Sequence, residues 1–93
     1  MPAPGSINIV PRGRARIAQV RGTSSYATGG YTLPAWLQEV IQGANSPPAC
    51  LNEGAVIGKL SGTSLLQFVT AATGAEVTNA TDQSGNVVSI LVP

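Results

Sequence analysis

Histidine is absent from the 93 residues, and cysteine occurs once, as Cys50. The first absence removes the usual general base near neutral pH and the commonest metal ligand. The second excludes an intramolecular disulfide, so no covalent framework supports the core. Cys50 reads as a buried or inert thiol, because no histidine stands ready to activate it. Charge is scarce as well: five Lys+Arg and four Asp+Glu make up 10% of the chain, against about 25% in an ordinary soluble domain. A net charge of +1 argues against nucleic acid as a partner, which calls for a basic field. The acids Glu39, Glu53, Glu76 and Asp82 stand in four separate segments, so no carboxylate pair declares itself for acid–base work. The glycines at 27–30 and 54–58 lack the Gly-Lys-Ser/Thr ending of a phosphate loop. No apolar run approaches the roughly 20 residues of a membrane helix, and the Met-Pro-Ala-Pro-Gly start lacks a signal peptide's apolar core. These absences predict a chain that is not an enzyme, holds no cofactor or metal, and works in a reducing cytosol without membrane or nucleic acid.

What is there points to a small module stabilised by neighbours. Aromatic residues are 4% of the chain, namely Tyr26, Tyr31, Trp36 and Phe68, and these normally bring the most area to a core. Eleven glycines and seven prolines add no core volume. A chain of this length buries only about 60–65% of its unfolded surface. Yet 43% of residues are apolar. A thin core under a weakly polar surface predicts cover by oligomerisation or by docking on a larger assembly.

Residues 1–13 carry Pro2, Pro4 and Pro11 around the apolar Ile7, Ile9 and Val10. The prolines exclude a helix and favour an extended arm. The arm is either a loose terminus or a segment that orders only against a neighbouring subunit, burying Ile7, Ile9 and Val10 there; on this reading it is dispensable for folding. Residues 14–93 then form one β-rich domain. In residues 14–21, Ile17, Gln19 and Arg21 share one strand face and Arg16, Ala18 and Val20 the other. Residues 22–30 are a turn-rich loop. A helix is predicted over 34–42, with Pro34 first, Gly43 as a stop, and Trp36, Leu37, Val40 and Ile41 facing the core. Strand text follows at 55–60, 65–71, 76–78 and 87–92, broken by turns at 61–62, 73–74 and 82–86. Asn79-Ala-Thr81 matches a glycosylation sequon but reads as turn chemistry. The expected fold is mainly β: a small single-domain sandwich or barrel with one short helix and an extended N-terminal arm.

Arg12, Arg14, Arg16 and Arg21 are four of the five basic residues within ten positions. The first three share a face if the strand starts that early. Three readings stand: a solvated face, bidentate pairs with carboxylates on a partner protein, and phosphate contact.

Three motifs in order resemble small tailed-bacteriophage virion proteins. They are Ser-Tyr-Ala-Thr-Gly-Gly at 25–30, Gly-Lys-Leu at 58–60, and Glu-Val-Thr-Asn-Ala-Thr-Asp-Gln-Ser at 76–84, with a closing strand at 87–92. The Pro-rich arm and Gln83, where the pattern often has leucine, depart from it. The resemblance implies a capsid cement or decoration protein on the virion surface, made in the bacterial host cytoplasm. It would bind the major capsid protein and, by analogy, form a homo-oligomer, a trimer for preference. Its interface candidates are Ile7, Ile9, Val10, Arg12, Arg14 and Arg16. A tail, neck or head-fibre component is the nearest alternative. A third reading is a glycan- or peptide-binding β-module using Tyr26, Tyr31 and Trp36 as an aromatic platform.

Overall fold

The computed structural model describes residues 2–44 and 48–92. Two antiparallel sheets make up the domain, as expected for a mainly β chain. The first has the order β1-β2-β7-β4, from β1 (Ser6–Arg12), β2 (Ala15–Arg21), β4 (Cys50–Leu51) and β7 (Val87–Val92). The second has the order β3-β6-β5, from β3 (Tyr31–Thr32), β5 (Val56–Ser61) and β6 (Leu65–Thr70). One helix, α1 (Ala35–Gly43), follows β3.

The segment read as a separate arm is extended, but it is a strand of this domain's own sheet. β1 folds back on β2 with Arg12 opposite Ala15 and Ser6 opposite Arg21. The reversal needs only Gly13 and Arg14. Gly13 has φ +60° while Arg14 keeps a negative φ, the pattern of a type II′ hairpin turn with glycine at its first central position. Further back, Pro2 accepts a hydrogen bond from the Thr32 amide at 3.0 Å, and the Gly5 amide donates to Arg21 at 2.9 Å. The N-terminus therefore ties the first sheet to the second, and its order does not depend on a neighbour.

The core lies between the sheets. Ala18 and Val20 of β2, Val88, Ile90 and Val92 of β7, and Leu66 and Phe68 of β6 meet there, with Tyr26, Tyr31, Leu33 and Val77. Of the two faces open in β2, the one carrying Ala18 and Val20 is the inner one. Ile17 is nevertheless buried on the outer face, flanked across the sheet by Val10 and Leu91. Helix α1 begins one residue later than expected, with Pro34 as its N-cap. It buries Leu37 and Ile41 but leaves Trp36 45% exposed. A nine-residue helix on a small core presents a narrow stripe, and the i,i+4 pair Leu37/Ile41 takes it, with Val40 only partly buried.

Gly58 brings the sheets together at one corner. A Cβ there would overlap Val88 Cγ1 and stand 3.3 Å from Cys50 Sγ. The absent side chain is what lets β5 lie directly on β7 and β4.

Candidate interaction surface

Two of the three motifs prove to be parts of one internal lock. The loop 23–30 and the turn 76–84 are far apart in sequence but bond to each other along their length. Tyr26 donates its hydroxyl hydrogen to Glu76 Oε2, and the Gly29 amide donates to the same oxygen at 2.8 Å. Asn79 Oδ1 accepts from the Thr28 amide at 3.0 Å and from its hydroxyl at 3.2 Å. The Tyr26 amide donates to Thr81, the Ala80 amide returns a bond to Tyr26, and the Gln83 amide donates to Thr23. Of the sequon, Thr81 acts within the turn, its hydroxyl donating to the Thr78 carbonyl, whereas Asn79 spends its side-chain oxygen on the other loop. Ala80, at φ +66°, sits in the left-handed region at the tightest point.

The lock also accounts for Gln83, a polar residue at a buried position. Its Nε2 donates to Thr81 Oγ1 at 3.2 Å, and its Oε1 accepts from Asn86 Nδ2 at 2.7 Å. A buried amide with both ends paired costs little. Asp82 lies outside the core; bonds from the Ser84 hydroxyl and amide hold its carboxyl below the usual range.

Tyr31 packs edge-on against both Tyr26 and Phe68 beneath this lock, Tyr26 and Phe68 are tilted at 33° to each other, and the centroids lie 5.1–6.0 Å apart. Burial, and then the hydrogen bond to Glu76, raises the pKa of Tyr26 well above its ordinary value. The Phe68 amide donates to the Tyr26 oxygen at 3.2 Å, and the Thr23 amide to the Tyr31 oxygen at 2.9 Å. Both tyrosines are completely buried. They are core residues, so the aromatic platform with Trp36 does not exist. Cys50 is half-buried, and burial raises its pKa, which lowers its reactivity at neutral pH.

The interface candidates divide into two places. Arg12, Arg14 and Arg16 are all exposed at the tip of the β1–β2 hairpin. They do not share one strand face. Arg14 lies in the turn, Arg12 pairs with Ala15, and Arg16 pairs with Pro11 on the opposite face. The tip instead spreads its three charges around one end of the molecule. Ile7, Ile9 and Val10 lie along β1. Val10 stands on the outer face beside Ile17, Ile7 packs partly against the core, and Ile9 is 42% exposed. Beside Ile7 opens a cleft of about 460 Å³, lined by Ala3, Pro4, Ser6, Ile7, Thr32, Leu33 and Pro34. Its walls are mainly apolar, with Ser6 and Thr32 the polar members. The sequence had no signal for this cleft, because it forms where the N-terminus crosses to β3.

Among the described residues no group of three His, Cys, Asp or Glu side chains could hold a metal ion, and no helix is long and apolar enough to cross a membrane. No protein-family model, curated protein or solved structure matches the chain.

Proposed function

We propose that the chain is a structural component of a tailed-phage virion: a cement or decoration protein that binds the outer surface of the major capsid lattice and stabilises the head. The observation that carries this reading is the hairpin tip. Three of the chain's five basic residues, Arg12, Arg14 and Arg16, are exposed together there. They project from a two-residue turn on a sheet fixed by its own ladder. Such a tip reaches into a crevice between subunits and pairs its guanidinium groups with carboxylates there. The other six charged residues are spread singly over the chain, so the tip sets orientation while repetition over a lattice multiplies modest contacts.

Triple replacement of Arg12, Arg14 and Arg16 by alanine tests this. The residues are exposed, so the variant should melt within a degree or two of the parent. Its binding to undecorated heads, measured by co-sedimentation, should weaken by about tenfold or more. Unchanged occupancy at equal concentration would contradict the assignment.

A further inference from the structure

β1 is a seven-residue edge strand, bonded on one side to β2 and unpaired on the other among the described residues. The two-residue turn closes on the pair Arg12 and Ala15, so Val10, Asn8 and Ser6 direct their backbone groups to β2. Ile7, Ile9 and Pro11 direct theirs outward. Pro11, with no amide hydrogen, ends the usable edge at Ile9. Side chains alternate likewise: Ile7 and Ile9 lie on the inner face, where Ile7 lines the apolar cleft and Ile9 stands 42% exposed.

We infer that this edge pairs with β1 of a second copy of the same chain, antiparallel and centred on Asn8. In that register Ile7 stands opposite the partner's Ile9, and both carry outward-facing backbone groups. Each such pair exchanges two hydrogen bonds, and the twofold axis supplies the same pair again. A register centred on Ile9 would set Ile7 against the partner's Pro11, which has no hydrogen to give. The side chains choose the same register. An apolar knob, Ile9, and the shallow, mainly apolar cleft beside Ile7 lie two residues apart on one face. The twofold at Asn8 delivers each knob to the other copy's cleft. Charge agrees as well. Antiparallel pairing places the two copies of Arg12 eight residues apart along the strands, about 27 Å, beyond a Debye length of about 8 Å. A parallel pair would set the cationic tips side by side. The product is a continuous sheet with β1 covered on both sides, which removes a long open edge. It is a dimer, unlike the trimer expected by analogy, and it does not rest on the capsid assignment.

Cysteine crosslinking of the full chain in a Cys50→Ser background tests the register, and sedimentation equilibrium tests the state. Asn8 faces the partner's Asn8 in a non-hydrogen-bonded pair, with Cα atoms about 4.5 Å apart, within disulfide range. Asn8→Cys should therefore give a covalent dimer on mild oxidation. Ser6→Cys, whose copies would lie about 14 Å apart, should not. The parent should show a monomer–dimer equilibrium below about 1 mM, and Ile9→Lys should weaken it by about tenfold or more. A monomer throughout that range, a trimer, or equal crosslinking at both positions would overturn the inference.

Discussion

Replacing Tyr26 by phenylalanine removes one oxygen from the centre of the lock and leaves the aromatic packing in place. That oxygen donates to Glu76 and accepts from the Phe68 amide, within a side chain that is 1% exposed. Its loss strands a buried amide and deprives the carboxylate of a donor, which costs about 1–3 kcal/mol. In a domain of this size that lowers Tm by about 4–8 °C per kcal/mol. The same variant should behave differently in alkali. The folded protein holds the Tyr26 proton more tightly than the unfolded chain does, through burial and then the bond to Glu76. This contribution is complete below the unfolded pKa of about 10 and is lost as pH rises from there toward the folded value. The loss is about 1.4 kcal/mol per pH unit. Tyr26→Phe has no such proton. Urea unfolding at pH 7, 9, 10 and 11 should show the variant less stable at pH 7. The gap should narrow by about 1.4 kcal/mol at pH 11. Parallel stability curves, or equal stability at pH 7, would refute the role given to this hydroxyl.

Three further outcomes follow from the packing. Leu37→Ala should cost about 2–5 kcal/mol, while Trp36→Ala, at a half-exposed position, should cost about 1 kcal/mol or less; thermal melts reversing that order would invert the helix face. Gly58→Ala should lower stability by about 1–3 kcal/mol, because the new methyl overlaps Val88, and a neutral result in urea titration would mean that the corner is not close-packed. Deleting residues 2–12 removes β1 and the bond from Thr32 to Pro2, so circular dichroism should show a Tm lower by about 10 °C or more, whereas an unchanged melt would return the segment to the status of a dispensable arm.

Much of the β framework could be read along the chain because its strands are bounded by turn residues. The texts at 14–21, 55–60, 65–71 and 87–92 each became a strand to within a residue at either end. The strands β3 and β4 were not legible, since two residues carry no periodicity and owe their pairing to β6 and β7. The N-terminal segment carries two opposed signals: its prolines favour an extended arm, while Gly13-Arg14 between alternating Ile7/Ile9 and Ala18/Val20 is a hairpin signal, and in the fold the hairpin prevails. The helix was placed correctly, but its stripe was four residues wide and the core took only Leu37 and Ile41 fully. The motifs at 25–30 and 76–84 were visible as text, yet their contact was not. Only the fold shows that Glu76 is aimed at Tyr26 and Gly29. The arginine cluster was legible as a cluster and its geometry was not, because a reversal at Gly13 sends Arg12 and Arg16 to opposite faces.

The proposed role turns on where the protein sits. On the proposed role, a reconstruction of the particle that carries the chain, compared with particles lacking it, measures this directly. Density for the two-sheet domain is expected on the outer surface of the head, in hundreds of copies, with the β1–β2 hairpin tip directed into the capsid lattice. Density confined to the tail or neck, or identical heads with and without the chain, would contradict it.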